Sequence, residues 1–143
     1  MSNSTPGTDR AASPPTLTDA QMRIVLFATL RAEVQSVPEE PYLLLKAQET
    51  DTLKAHPIGD ALYVGKNPQN LPEFAQGLEL GGDSQLSRQH FRVVRVEDSF
   101  VLEDLGSTNG TYINTDSSRL ESHWLTSGDC ILAGQHLFIF VSP

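Results

Sequence analysis

Basic residues are scarce and scattered: the 10 Lys and Arg never stand side by side, and 18 Asp and Glu give a formal charge of -8 over 143 residues. Duplex nucleic acid and anionic membranes both select a basic surface, so neither is expected as a partner. Cysteine is nearly absent. A single Cys130 can make neither an internal disulfide nor a thiolate zinc site, which reads as a reducing, cytoplasmic setting. Long apolar runs are missing too. The longest near the N-terminus, Ile24 to Leu30 interrupted by Thr29, is too short to span a bilayer and follows a proline-bearing leader without net charge. Neither a signal peptide nor a transmembrane helix is expected.

Catalytic signatures are equally thin. The histidines His56, His90, His123 and His136 lack metal-ligand spacing. Gly59 and Gly65 enclose five residues where a mononucleotide loop needs four, and Asn67 follows the lysine. Gly106-Ser107-Thr108-Asn109-Gly110 does not supply the Gly-x-Ser-x-Gly of a nucleophile elbow. Cys130, between Asp129 and Ile131, reads as a small buried hydrophobe and Trp124 as core or rim. No enzyme activity, metal or cofactor is expected.

What is present divides the chain in three. Residues 1–16 are rich in Ser, Thr, Pro and Ala without Val, Leu or Ile, the composition of a disordered tail. Thr18-Asp19-Ala20-Gln21 is a capping box, and it predicts a helix within 17–37, running from Asp19 to about Ser36 and ending ahead of Val37-Pro38. Met22, Leu26, Phe27, Leu30 and Val34 share one broad side of that helix, while Ile24 and Val25 point elsewhere. Its apolar residues predict packing either on its own domain or on a second subunit, in a homodimer formed through the helix. From residue 41 to 143 the texture changes to short apolar runs broken by Gly, Pro, Asn and Asp. The predicted strands are Tyr42 to Ala47, Leu53 to Ile58, Ala61 to Val64, Leu78 to Leu80, His90 to Val96, Phe100 to Glu103, Thr111 to Ile113, Ile131 to Ala133 and His136 to Val141. Runs of this length and spacing point to an all-β sandwich or barrel.

Two loops flank the strand pair from His90 to Asp104. The first runs from Gly82 through Ser84, Gln85, Ser87 and Arg88 to His90; the second is Leu105-Gly106-Ser107-Thr108-Asn109-Gly110-Thr111. One loop enters the strand pair and the other leaves it, so both can open at one end of a sandwich. Each is dense in hydroxyls, amides and backbone donors, with Gly permitting tight turns. A third loop, Gly65-Lys66-Asn67-Pro68-Gln69-Asn70, adds a cation. Uncharged donors around a cation suit a phosphate, which takes short charge-assisted hydrogen bonds. Asp104, Ser107, Thr111 and Asn114 read as scaffold that hydrogen-bonds tight turns to themselves.

The order Gly65-Lys66, Ser87-x-x-His90, Asp104-x-x-Ser107-x-Asn109-Gly110-Thr111-x-x-Asn114 and Gly128-Asp129-x-Ile131-x-x-Gly134 resembles the forkhead-associated (FHA) domain, over Tyr42 to Val141. The resemblance implies an eleven-stranded β-sandwich, here with an N-terminal α-helix added, whose loops at one end bind phosphothreonine peptides without catalysis. By position, Ser87 and Thr108 would contact the phosphate, Arg88 would add a backbone or side-chain contact, and Asn109 would hydrogen-bond the peptide main chain. His90 would brace the loops, Gly65 and Gly110 would serve as turn positions, and Gln85 would lie in the loop that reads the residue three places after the phosphothreonine. The family usually has Arg where this chain has Lys66, which gives up the bidentate fork. The expected function is a phosphothreonine-dependent adaptor in Ser/Thr kinase signalling, its partner a phosphorylated protein such as a kinase or its substrate. The alternative is a structural or oligomerisation module on an FHA scaffold that no longer binds phosphopeptides.

Overall fold

The computed structural model describes residues 38–47, 53–114 and 118–143; the expected tail at 1–16 and helix at 17–37 lie outside them. The described residues hold ten strands: β1 Tyr42–Ala47, β2 Leu53–Pro57, β3 Ala61–Gly65, β4 Ala75–Glu79, β5 Phe91–Val96, β6 Ser99–Asp104, β7 Thr111–Ile113, β8 Ser122–Trp124, β9 Cys130–Ala133 and β10 His136–Val141. They form two five-stranded sheets, ordered β2-β1-β10-β9-β7 and β4-β3-β5-β6-β8. This is the expected all-β sandwich. Neighbouring strands are antiparallel except β3 and β4, which run parallel.

Alternation decides which side chains meet between the sheets. In β5 and β6, Phe91, Val93, Phe100 and Leu102 are buried whereas Arg92, Arg95 and Ser99 are not. Across from them, Leu43, Leu45, Ile131, Phe138 and Phe140 complete the shared core. Phe91 meets Phe138 edge-on at 5.2 Å and Phe100 meets Phe140 at 5.4 Å. Each such ring or Leu withdrawn from water contributes about 1.5 to 3 kcal/mol, so this interior is the main source of stability. Leu86, in the loop before β5, also enters the core and is 5% exposed. One residue of the loop is therefore anchored directly beneath Ser87.

The described residues hold ten strands where the resemblance implies eleven, and two of them differ from expectation by more than one residue at an end. β4 covers Ala75–Glu79 rather than Leu78 to Leu80, because it pairs in parallel along the edge at β3 and needs only Leu78 to face the core. β8, Ser122–Trp124, was not foreseen; it pairs with β6 at the opposite edge. Trp124 there is 59% exposed, so it lies at the rim.

Candidate functional site

Three turns close one end of the sandwich, and the backbone knits them together before any side chain contributes. The amide of Lys66 donates to Ser87 O at 2.9 Å and that of Asn67 to Arg88 O at 3.1 Å. Gly65 is required by that proximity, since a Cβ there would stand 2.0 Å from Arg88 O. Gln89 Nε2 adds a 2.6 Å bond to Gln69 O, and the first and third loops thereby share one surface.

The second loop is built on Asp104 at the end of β6. Its carboxylate accepts from the amides of Gly106 and Ser107 at 3.0 Å, from Ser107 Oγ at 2.6 Å and from Thr111 Oγ1 at 2.7 Å. Burial by itself would raise the Asp104 pKa, but the donors on Ser107 and Thr111 outweigh it and hold the carboxyl below its usual range. Ser107 Oγ in turn accepts from Gly110 N at 3.0 Å, and Gly110 takes the left-handed φ of 87° that closes the turn. Asn114, at φ 52°, donates from Nδ2 to Asp129 at 3.1 Å and accepts from Cys130 N at 2.8 Å, which ties β7 to the Gly128-Asp129 turn.

His90 is buried between the two loops. Its Nδ1 accepts from Ser87 N at 3.1 Å, so in the neutral ring Nε2 carries the proton and donates to Gly110 O at 2.8 Å. One rigid ring thus fixes the separation of the loops. On their outer side they touch directly: Thr108 N donates to Ser87 Oγ at 3.0 Å, and Asn109 Nδ2 donates to Gln85 O at 2.9 Å. Ser87 is half-buried, while Lys66, Gln85, Arg88, Thr108 and Asn109 are exposed around it. With Thr108 N on one lone pair, the Ser87 hydroxyl keeps its own proton to donate. The Ser87 hydroxyl is thus a donor on loops whose backbone also presents the exposed Lys66 and Arg88, on a molecule of net charge -8.

Two residues of this architecture were not singled out from the sequence. Asp83, 2% exposed, accepts from Gln85 N at 2.9 Å, Gln135 N at 2.7 Å and His136 Nδ1 at 2.8 Å, which pins the first loop to the turn between β9 and β10. Burial opposes its ionisation, but the bonds from His136, Gln135 and Gln85 prevail and lower its pKa from 3.8. Arg119 donates from Nη2 to Ser107 O and lies against Gly110, supporting the second loop from the side. The Gly-Asp-Ser sequence at 82–84 signals a turn, but nothing in it announces a partner at 135 and 136.

The family model described as FHA domain matches residues 63–134, half of the chain and all three loops. The chain belongs to the FHA domain family. FHA domains are phosphothreonine-binding protein-interaction modules and not enzymes. This FHA domain is similar to the oxoglutarate dehydrogenase inhibitor of Corynebacterium diphtheriae, 37% identical over 59 residues, which are 41% of this chain and 40% of that protein. The match thus takes in less than half of that relative's length. Among solved structures it is similar to the FHA domain of the CT664 protein from Chlamydia trachomatis, with 26% identity, TM-score 0.57 and coverage of 72% of this chain and 97% of that one. It also shares its fold with an FHA domain solved for its phosphothreonine-dependent interactions, at 22% identity and TM-score 0.51, over 71% of this chain and 97% of that one. Among the described residues no helix is long and apolar enough to cross a membrane.

Proposed function

We propose that this FHA domain binds a phosphothreonine peptide across its three-loop end and acts as an adaptor in Ser/Thr kinase signalling, recognising a phosphorylated kinase or kinase substrate. The observation that carries this reading is the convergence of Ser87 and Thr108, joined at 3.0 Å, beside the exposed Lys66 and Arg88. In that arrangement Ser87 Oγ and the Thr108 hydroxyl donate to phosphate oxygens. Lys66 and Arg88 neutralise the charge, and such ion-assisted bonds are roughly twice as strong as neutral ones. Asn109 is held on the first loop through Gln85, which presents its amide oxygen to a peptide N–H. His90, Asp104 and Asp83 bind nothing themselves; they fix the loops so that little ordering is needed on binding.

Lys66 in place of the family's usual arginine favours the second reading, an FHA scaffold kept for structure alone. An oriented phosphothreonine peptide library, run beside unphosphorylated and phosphoserine controls, separates the two. The adaptor reading expects micromolar binding of selected phosphothreonine sequences, about -8 kcal/mol, and none of their unphosphorylated forms. Absence of any phosphate-dependent binding would leave the structural module.

A further inference from the structure

The sheet β2-β1-β10-β9-β7 has two apolar faces, and the core between the sheets uses only one. On the other face the register aligns Tyr42 with Val141 and Leu44 with Ile139, and Ile139 in turn with Cys130. With Leu137 these side chains form a second hydrophobic cluster separate from the core. A sheet face turned away from its partner sheet ordinarily carries polar side chains, yet Tyr42 is 1%, Leu44 and Cys130 0%, Leu137 5%, and Ile139 and Val141 6% exposed within a single chain. None of the ten strands lies over them, because the second sheet is spent on the inner face.

We infer that residues 19–36 of the same chain cover this face as a helix. The polypeptide leads straight there: Pro38 and Glu39 line a surface groove together with Tyr42 and Val141, at the edge of the cluster. The preceding segment brings the matching surface, Met22, Leu26, Phe27, Leu30 and Val34 on one side of a helix that starts at a capping box on Thr18. Its length is sufficient. Eighteen helical residues span about 27 Å, more than the roughly 14 Å that β2, β1, β10 and β9 occupy side by side at about 4.8 Å spacing. The fold then has three layers, helix, sheet and sheet, and the segment belongs to the domain. Because β10 starts at His136, which holds Asp83, the covered strand also carries the support of the first loop.

Cys130 supplies the test, being the chain's single cysteine and part of the covered cluster. Alkylation of Cys130 by a small maleimide is followed in the full chain and in its Leu26→Asp/Leu30→Asp variant, with sedimentation measured at several concentrations. We expect a monomer whose Cys130 reacts slowly, and a variant with unchanged β-sheet circular dichroism whose Cys130 reacts at least about tenfold faster, as expected when a local cover is lost without global unfolding. Equal rates in the two proteins, or protection that fades on dilution as a dimer dissociates, would overturn the assignment. Should the double variant lose its sheet signal, a photo-crosslinking residue at position 26 of the full chain decides. Crosslinks to β1, β9 or β10 within one molecule support the cover, and crosslinks between chains, to the other sheet or to nothing refute it.

Discussion

Replacing Asp83 by alanine should cost more stability than any other single polar substitution in the first loop. The side chain of Asp83 is fully enclosed and accepts from two backbone amides and an imidazole at 2.7 to 2.9 Å. Alanine leaves these donors without an acceptor, at about 1 to 3 kcal/mol for each one that stays buried. With three donors released together, two of them backbone amides, the Asp83→Ala loss is placed at about 3 to 5 kcal/mol. Asp83→Asn keeps one carbonyl oxygen but turns an NH2 toward a donor, so roughly 2 to 4 kcal/mol is expected on the same grounds. Urea unfolding followed by circular dichroism measures both. The pH dependence is the sharper signature. The folded pKa of Asp83 lies below 3.8, so the unfolded chain binds this proton more readily and stability rises with pH in that range. The contribution is fully present above the unfolded pKa and is lost as pH falls through the lower folded one. The stability difference between wild type and Asp83→Asn should therefore shrink between about pH 5 and pH 2; acid effects at Asp104 occur in both proteins and cancel. An Asp83→Ala loss below about 0.5 kcal/mol, the scale of an ordinary surface change, or a difference independent of pH, would refute the assignment of this bond network.

The other predictions concern the loops directly. Gly65→Ala places a methyl 2.0 Å from Arg88 O and 2.9 Å from Ser87 O; it should destabilise the domain by about 1 to 3 kcal/mol or more and remove phosphopeptide binding, read by thermal unfolding and titration. Lys66→Arg should hold or improve affinity, because a guanidinium matches phosphate geometry, and Lys66→Glu should abolish it; equal affinities for the three at low salt would show that residue 66 does not touch phosphate. Gln85 brings no cation to the first loop, so a phosphothreonine library should show at most a weak preference for Asp three places after the phosphothreonine, and dominant selection of Asp would contradict this.

Most of the sandwich was legible because its strands carry a repeating burial pattern. Phe91 and Val93, like Phe100 and Leu102, alternate with polar neighbours, and β1 and β10 are near-continuous apolar runs. β4 and β8 lack such a signal. Ala75-Gln76-Gly77-Leu78-Glu79 sends one large apolar residue inward, and Gly77 is there because Pro68 and Leu71 pass close over it, a crossing fixed by tertiary structure. Ser122-His123-Trp124 turns its tryptophan to solvent and is a strand only because β6 offers an edge. Within the site, local turn chemistry was readable: Asp104 and Ser107 lie three apart and bond as such residues do. Contacts across 52 and 53 positions were not, and Asp83 with Gln135 and His136 is of that kind. Arg119 reaches Ser107 O from 12 residues away, again with no local pattern to announce it.

Whether the three-loop end holds the phosphate is tested most directly by calorimetric titration of one selected phosphothreonine peptide into wild type, Ser87→Ala and Asn109→Ala. Each substitution removes a single hydrogen-bonding group from exposed or half-exposed loop positions, so the fold should persist. Each should weaken binding by about 1.5 to 3 kcal/mol, the scale of a hydrogen bond to a charged group, which is roughly a 10- to 150-fold rise in Kd. Unchanged affinity in both variants would place the phosphate elsewhere on the molecule.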